Sequence, residues 1–276
     1  MTTTSVLPER DYPVDWVDLV AVDLDGTLLG GVPGYGIHPA ALQAMKQARR
    51  HGIQFAIVTG RPYEFIENLV EEYEVLESSV SAIVAEERFI YIKDKGLFRP
   101  DLEYNNWTLS LEQSLLEVMQ GFVVSQWPYL TKLDPDVIRL DAEEMRKGWV
   151  ELVFSTRELA KLAVEKMEAT IPPTLTLIRN VRNVGVRGSK IGKGPALKQL
   201  VERLGLSPEN VLSIGDSEND LSMLDTDQFG FQAGTVSNAD DEIKQFVLKN
   251  QGWVASKEFG HGVAELITNV LTLRQE

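Results

Sequence analysis

Apolar segments of strand length that end abruptly in acidic, glycine-containing turns constrain the fold of this chain more than any other feature of its sequence. Residues Asp18–Asp23 read DLVAVD and run directly into a turn that contains Gly26. Residues Val211–Ile214 are equally apolar and end in Gly215–Asp216. Runs of this length bounded by polar turns are typical of buried parallel strands. The sequence therefore predicts a buried strand at each of these places.

Helical patterns alternate with such strands along much of the chain. Pro39–Arg50 carries alanines and a methionine at helical spacing, and Gly52 follows as a stop signal. The next strand, Ile53–Val58, ends in Thr59-Gly60-Arg61. This alternation predicts an α/β fold, a doubly wound, Rossmann-like parallel sheet with ligands at the carboxyl ends of its strands. The same pattern predicts a strand at Ser81–Ala85 and helices at Pro62–Tyr73, Gly194–Leu204 and Asp220–Leu224.

The middle of the chain departs from this alternation. Between Glu86 and Arg187 strands and helices follow each other irregularly, which predicts a separate α+β insert at 87–187. The α/β pattern then returns, so we expect a discontinuous parent domain made of residues 1–86 and 188–276. Within the insert we predict strands at Phe89–Lys93, Val137–Leu140 and Trp149–Phe154, and helices at Leu109–Met119 and Arg157–Ala169.

Composition and charge exclude several classes of protein. The chain has 276 residues and no cysteine, so disulfide scaffolds, thiolate zinc sites and cysteine nucleophiles are excluded. Its net charge of -14 opposes nonspecific attraction to nucleic acid or anionic lipid, and a small-molecule partner fits better than a polymer. No apolar stretch is long enough for a membrane span, and the first residues lack a secretory signal pattern. We therefore expect a soluble, cytoplasmic protein, with a monomer as the default state.

Two carboxylates stand close together at the end of the first strand. Asp23 and Asp25 are followed at once by Gly26 and Thr27. Carboxylates this close repel each other and require a cation or a shared proton. The same residues also fit an Asx turn at a strand end, in which Gly26 permits the bend. By themselves these residues leave both interpretations open.

A second acidic cluster follows the strand Val211–Ile214. Asp216 and Asp220 frame GDSEND, and their spacing puts both on one face where a helix begins. Solvated carboxylates at a helix N-terminus are a common alternative, because they interact favourably with the helix dipole. Two acidic clusters at strand ends would converge on one edge of a parallel sheet, where oxygen ligands hold a hard cation such as Mg²⁺. The pairing of the clusters therefore favours a magnesium site.

Two further segments could bind phosphate. The hydroxyl of Thr59 and the amides of Gly60 and Arg61 could cradle a phosphoryl oxygen, although a helix cap before Pro62 is the commoner role for such a threonine. Lys193 begins a predicted helix and could place a positive charge on phosphate.

Lys190 is the nearby competitor for the role of Lys193, and most lone lysines are solvated. Other binding motifs are excluded. A Walker loop would need glycine where Arg187 stands and Ser or Thr where Gly194 stands. The glycine-rich loop GGVPGYG has Pro39 where a dinucleotide-binding motif needs its third glycine. The three histidines are scattered in sequence, and no nucleophilic serine elbow is present.

Four segments, in order DLDGT, TGR, GKGPAL and GDSEND, resemble the four motifs of the haloacid dehalogenase superfamily. More narrowly, the chain resembles the Cof-type and sucrose-phosphatase-like branch. The match covers both halves of the predicted parent domain. The resemblance implies that the insert is a cap domain that selects the substrate.

The resemblance also implies a role for each matching residue. Asp23 would attack phosphorus and form an aspartyl-phosphate, and Asp25 would protonate the leaving oxygen and then deprotonate the attacking water, which requires a raised pKa. Thr59 and Lys193 would hold the phosphoryl oxygens. Mg²⁺ would bind to the Asp23 carboxylate, the Asp25 main-chain carbonyl and Asp216. The residues expected to support this arrangement are Gly60, Asn219 and Asp220.

The implied activity is a Mg²⁺-dependent phosphatase acting on small phosphorylated metabolites, with sugar phosphates as the expected class. A phosphomutase and a non-catalytic protein that binds phosphate and Mg²⁺ remain alternatives. The chain departs from the branch at Glu86-Glu87, where Asn-Gly is usual, and at His261, where Asp is usual. These departures put the family's substrate contacts in doubt. Asn238 lies in a segment that resembles a supporting loop of the family.

Overall fold

The computed structural model describes residues 16–141 and 148–273. The described strands are, in chain order, β1 (Leu19–Val22), β2 (Gln54–Val58), β3 (Val80–Ala85), β4 (Phe89–Asp94), β5 (Leu97–Pro100), β6 (Ile138–Leu140), β7 (Val150–Val153), β8 (Leu175–Asn180), β9 (Asn183–Gly188), β10 (Val211–Ile214), β11 (Gln232–Thr235) and β12 (Trp253–Val254). The described helices are α1 (Pro39–Arg50), α2 (Tyr63–Glu72), α3 (Glu74–Ser79), α4 (Leu102–Leu133), α5 (Arg157–Glu168), α6 (Lys193–Arg203), α7 (Leu221–Leu224), α8 (Thr226–Phe229), α9 (Asp241–Lys249) and α10 (Phe259–Leu273).

These elements divide between two compact units. The larger unit comprises residues up to Asp101 and from Lys193 onward, and the smaller unit comprises Leu102–Gly192. Both junctions lie C-terminal to the boundaries drawn from the sequence at 86/87 and 187/188. The difference at the first junction arises because β4 pairs antiparallel with β3, and β5 with β4. This hairpin therefore extends the sheet of the larger unit, although its strands were expected to lie in the insert.

The larger unit contains one mixed sheet in the order β12-β11-β10-β1-β2-β3-β4-β5. The strands from β12 to β3 are parallel, which confirms the predicted doubly wound α/β class. Strand β1 is fully buried, as expected for an apolar segment with a parallel strand on each side. Helix α1 packs against α10 and α3, whereas α6 packs against α7, β3 and β4.

The smaller unit has the α+β composition predicted for the insert. Its sheet has the antiparallel order β6-β7-β9-β8, and α4 and α5 pack against it. A separate apolar core includes Phe122, Trp149, Leu152 and Phe154. None of the helices in the described part of the chain combines the length and the apolar character that a membrane span requires.

Candidate active site

The register of the central strands brings two acidic turns to one edge of the sheet. Val22 at the end of β1 lies beside Ile57 of β2 and Ile214 of β10. Asp23 follows β1 directly, and its amide donates a hydrogen bond of 2.9 Å to the carbonyl of Ile214. Asp216 follows β10 after one further residue. The expected convergence of the two clusters is therefore present.

A buried lysine joins the two clusters. The Nζ atom of Lys193 lies 2.7 Å from Asp23 Oδ1 and 2.6 Å from Asp220 Oδ1. Burial lowers the pKa of Lys193, but Asp220 and Asp23 oppose this effect and raise the pKa above its usual value. Lys190 is exposed, and the interpretation of Lys193 as a solvated surface lysine is wrong.

The nucleophile expected from the sequence is itself buried. Burial raises the pKa of the Asp23 carboxyl well above its usual range, Lys193 lowers it, and the charges of Asp220 and Asp216 raise it again. The single positive charge of the ammonium group therefore does not neutralise the negative charges of the three carboxylates. A divalent cation would supply the missing positive charge.

Asp216 is held in place by the loop that follows β1. Thr27 Oγ1 donates a hydrogen bond of 2.5 Å to Asp216 Oδ1. Gly26 has a φ of 87°, and a Cβ atom at this position would lie 2.5 Å from Asp216 Oδ2. Glycine is thus required here because the backbone is left-handed and because Asp216 leaves no room for a Cβ atom. Burial and the neighbouring Asp220 raise the pKa of Asp216 to about 7.

Asp220 organises the turn that carries Asp216. Its Oδ2 atom accepts hydrogen bonds of 3.0 Å from the amides of Asp216 and Ser217. The Ser217 side chain completes a reciprocal capping box with Asp220. Asp220 is completely buried, so a solvated carboxylate at a helix N-terminus is the wrong description. Because Lys193 and the two amides contact both of its oxygens, Asp220 is suited to support rather than to direct coordination.

The acidic cluster fits a hard divalent cation. One carboxylate oxygen from each of Asp23, Asp216 and Asp220 lies within 4.8 Å of the others. These donors are all oxygens, as Mg²⁺ prefers. Burial and then the negative charge of Asp220 raise the pKa of Asp216, and a cation bound here would favour its ionised form.

Thr59 and Gly60 form a short loop after β2. The Thr59 hydroxyl accepts a hydrogen bond of 3.2 Å from the amide of Arg61. The N-cap residue of helix α2 is Pro62, and no side-chain hydrogen bond caps the helix there. The interpretation of Thr59 as the helix cap is therefore wrong. Gly60 packs closely on Glu87, whose Oε1 atom would lie 3.3 Å from a Cβ atom at position 60.

Asp25 has surroundings that the sequence did not reveal. Arg61 contacts both of its oxygens, with Nε 2.8 Å from Oδ2 and Nη2 2.7 Å from Oδ1. Tyr35 donates a further hydrogen bond of 3.1 Å. Burial raises the pKa of Asp25, but the hydrogen bonds and the charge of Arg61 outweigh burial and lower it. The expectation of a raised pKa at Asp25 is therefore wrong for the substrate-free protein.

Two asparagines complete the surroundings of the acidic turns. Asn219 is buried and donates a hydrogen bond of 2.9 Å to Glu87 Oε1. Asn238 donates one of 2.8 Å to the carbonyl of Gly26 and accepts one of 2.7 Å from the amide of Phe259. The side chains of Glu87, Arg61 and Tyr35 were absent from the predicted site, which included only the main-chain amide of Arg61. Arg61 belongs to the motif TGR and Glu87 to the departure at Glu86-Glu87, whereas Tyr35 had no sequence signal.

Fold and site together define a class of α/β protein in which a parallel sheet gathers carboxylates and one lysine at its strand ends. The family model for haloacid dehalogenase-like hydrolases matches residues 20–97 and 134–267. The chain therefore belongs to the haloacid dehalogenase-like hydrolase family, which confirms the resemblance in its four motifs.

Several curated relatives are phosphatases. The chain is similar to phosphoglycolate phosphatase 1 of Saccharolobus solfataricus, with 27% identity over 92% of this chain and 96% of the relative. It is also similar to phosphoglycolate phosphatase of Pyrobaculum aerophilum, with 25% identity over 87% of this chain and 92% of the relative.

Solved structures support the same fold. The sucrose-phosphatase of Synechocystis, in complex with sucrose and phosphate, aligns with a TM-score of 0.65 and 17% identity, covering 91% of this chain and 97% of that one. A Cof-like hydrolase from Plasmodium vivax aligns with a TM-score of 0.65 and 18% identity, covering 93% and 96%.

Proposed function

We propose that this chain is a Mg²⁺-dependent phosphatase that hydrolyses small phosphomonoesters through an aspartyl-phosphate on Asp23. The observation that carries the proposal is the buried contact of Lys193 with both Asp23 and Asp220 beside Asp216. This arrangement gives a carboxylate nucleophile a neighbouring cation that offsets its repulsion from a phosphate dianion. Family membership supports the same chemistry.

The bond changes divide hydrolysis into two displacements. A carboxylate oxygen of Asp23 attacks phosphorus, the ester P–O bond breaks, and Asp25 gives a proton to the leaving alcohol. Water then attacks the phosphorus of the aspartyl-phosphate, Asp25 accepts a proton from that water, and Asp23 is regenerated as inorganic phosphate leaves. Thr59 and Lys193 hold the phosphoryl oxygens, and Gly60 gives the loop of Thr59 the space to pack against Glu87.

The cation would be held by Asp23, Asp216 and the main-chain carbonyl of Asp25. When bound, Mg²⁺ stabilises the negative charge that spreads over the transferring phosphoryl group. Asp220 and Asn219 keep the turn of Asp216 in position through the hydrogen bonds described above.

Asp25 starts the cycle with a lowered pKa, because Arg61 binds both of its oxygens. An approaching phosphate dianion adds negative charge beside Asp25 and raises its pKa again. A protonated Asp25 no longer needs the charge of Arg61. The guanidinium is then free to face an anionic group of the leaving alcohol.

This role for Arg61 favours a substrate that carries a carboxylate next to its phosphate. The names of the curated relatives point to the same class, since phosphoglycolate is such a compound. Sugar phosphates are the second substrate class to test, because the four motifs also resemble the sucrose-phosphatase-like branch.

A phosphate-release assay across a substrate panel tests the proposal. The panel contains p-nitrophenyl phosphate, phosphoglycolate and several sugar phosphates, each with Mg²⁺ and with a chelator. We expect release that requires Mg²⁺ and that is abolished in Asp23→Asn. Activity that survives this substitution contradicts the mechanism, and conversion of a sugar phosphate to its isomer with little free phosphate identifies a mutase instead.

A further inference from the structure

Glu87 is a buried carboxylate beside the proposed active site to which the mechanism above gives no role. Its side chain is 6% exposed, and it follows β3 in the turn that departs from the family pattern. Glu86 and Glu87 both have left-handed backbone conformations, with φ values of 50° and 63°. Such a conformation costs energy in residues other than glycine and persists where the surrounding structure requires it.

The main chain of this turn holds the loop of residues 59–61, the phosphate-binding loop, to which the proposed function assigns the binding of phosphate. The amide of Glu87 donates a hydrogen bond of 2.8 Å to the carbonyl of Thr59, and the amide of Glu86 donates one of 2.9 Å to the carbonyl of Arg61. The Glu87 side chain also packs on Gly60, as its Oε1 atom would lie 3.3 Å from a Cβ atom there. The left-handed turn therefore fixes the loop from both of its ends.

The Glu87 side chain reaches the acidic turn at the same time. Its Oε1 atom accepts a hydrogen bond of 2.9 Å from Asn219 Nδ2, and Asn219 Oδ1 accepts one of 2.6 Å from Ser217 Oγ. Ser217 in turn donates its amide hydrogen to Asp220, which also orients the amide of Asp216. A continuous chain of hydrogen bonds thus runs from Glu87 to the turn that carries Asp216.

The charge of Glu87 also acts on the buried lysine. Burial lowers the pKa of Lys193, whereas Asp220 and Asp23 raise it, and Glu87 adds to their effect. Glu87 is therefore part of the electrostatic surroundings of the lysine as well as of the hydrogen-bonded turn.

We propose that Glu87 is a positioning residue that ties the phosphate-binding loop to the Asp216–Asp220 turn and thereby fixes the Mg²⁺ ligand Asp216. Glu87 acts through Asn219, and its necessary property is a hydrogen-bond acceptor at Oε1. This inference rests on the proposed function, because it assigns Glu87 to the same cation site.

Isothermal titration calorimetry of Mg²⁺ into the full chain tests this role without relying on turnover. Glu87→Ala removes the acceptor, and we expect Mg²⁺ affinity to fall about 10-fold or more, as is usual when a group that orients a metal ligand is removed. Glu87→Gln retains an acceptor oxygen of the same reach, and we expect its affinity to stay within about 3-fold of the wild type.

Glu86→Ala is the matched control, because it truncates the neighbouring glutamate on the same left-handed backbone. We expect it to bind Mg²⁺ like the wild type. Wild-type affinity in Glu87→Ala, a loss in Glu86→Ala as large as in Glu87→Ala, or a loss in Glu87→Gln as large as in Glu87→Ala would each overturn the proposal.

Asn219→Ala keeps the proposal open to refutation if Glu87→Ala does not fold. Because Glu87 acts through Asn219, we expect this variant to lose Mg²⁺ affinity to a similar extent, and Glu87→Gln to add no further loss to it. Unchanged affinity in Asn219→Ala contradicts the proposal. A wild-type chain that binds no Mg²⁺ refutes the proposed function itself, whereas normal wild-type binding with unaffected variants refutes only the role of Glu87.

Discussion

At the residue scale, the buried ammonium group of Lys193 lies between two carboxylates and contacts both. Its contacts with Asp23 and Asp220 link the proposed nucleophile to the residue that organises the second acidic turn. A buried charge that loses its partner is costly, because nothing replaces the water that the charge gave up. The same lysine therefore contributes to stability and, in the proposed function, to phosphate binding.

Substitution of Lys193 and of the exposed Lys190 tests whether the buried lysine has a functional role that a surface lysine lacks. We expect Lys193→Met to lower kcat by about 10²-fold or more, because phosphoryl charge loses a fixed donor, and to reduce the free energy of unfolding by about 3 kcal/mol. Lys190→Met removes an exposed lysine three residues earlier and should change neither quantity. Steady-state kinetics and urea unfolding measure both effects. Equal effects of the two substitutions would refute the role of Lys193.

The pair formed by Arg61 and Asp25 makes a second prediction. Arg61→Met removes both hydrogen bonds and the charge that keep Asp25 ionised, so the pKa of Asp25 should rise. Tyr35→Phe removes one longer hydrogen bond and should raise this pKa less. Carbon-13 NMR titration of the substrate-free protein measures the pKa directly, with Arg50→Met as an exposed control. An unchanged pKa of Asp25 in Arg61→Met would contradict the contact of Arg61 with both oxygens of Asp25.

The positions of individual residues were predictable where a motif and a strand end coincide. Asp23 and Asp216 belong to such turns, and Lys193 begins a recognisable helix. The partners of these residues were not predictable, because they depend on contacts over long separations. Arg61 lies 36 residues from Asp25, and Glu87 lies 132 residues from Asn219. No local pattern reports that two such side chains meet.

At the scale of secondary-structure elements, the loop after β1 determines the position of the second acidic turn. Gly26 meets Asp216 so closely that any side chain at position 26 would displace the carboxylate. Gly34, later in the same connection between β1 and α1, has a similar φ of 77°, but no atom outside the neighbouring residues lies within 4 Å of its Cβ position. A comparison of the two positions therefore distinguishes the cost of a left-handed backbone from the effect of a steric clash with Asp216.

Alanine at each glycine gives a matched comparison. Gly34→Ala should lose about 1 kcal/mol of stability, because residue 34 occupies the left-handed region, and Gly26→Ala should lose more, because its Cβ atom also meets the Asp216 carboxylate. Only Gly26→Ala should also weaken Mg²⁺ binding, by about 10-fold or more, since only there is a metal ligand displaced. Thermal unfolding and Mg²⁺ calorimetry distinguish the two effects. Normal Mg²⁺ affinity in Gly26→Ala would show that this contact is not needed.

Regular elements were predictable where burial gives a continuous apolar run. Strand β10 and helix α1 have the predicted bounds. Helix α4 is much longer than predicted, because Gly121 and Pro128 lie inside it and both usually interrupt helices. Strands β8 and β9 were missed, since their polar residues and partial exposure leave no continuous apolar run. The stacking of His38 on His261, with 4.7 Å between the ring centroids, was also not predicted, because the two residues are far apart in sequence.

At the scale of the whole molecule, a chain with a net charge of -14 gathers two buried acids and a half-buried one at one edge of its larger sheet. The pKa of Asp216 is about 7 in the folded chain against an ordinary value of 3.8. Between these values the folded state binds more protons than the unfolded state. The stability contributed by protonated Asp216 is therefore complete below about pH 4 and is lost as the pH rises through about 7.

The linkage between protons and metal predicts how Mg²⁺ stabilises the protein. Mg²⁺ requires ionised carboxylates, so its stabilising effect should be large at pH 8 and small at pH 6. At a concentration 100 times its Kd, the gain at pH 8 should be about 2.7 kcal/mol. Asp216→Asn should raise Tm of the metal-free protein at pH 8 and remove most of the Mg²⁺ effect. A Mg²⁺ effect that is independent of pH would contradict the assignment of Asp216.

Trapping of the covalent intermediate tests the central claim most directly. In Asp25→Ala, p-nitrophenyl phosphate should still phosphorylate Asp23, because its leaving group needs no acid, while hydrolysis of the intermediate slows for lack of a base. Borohydride reduction during turnover, followed by tandem mass spectrometry, should find homoserine at position 23. The same treatment of Asp23→Asn should find none. Reduction at another aspartate, or none while substrate is consumed, would contradict covalent catalysis by Asp23.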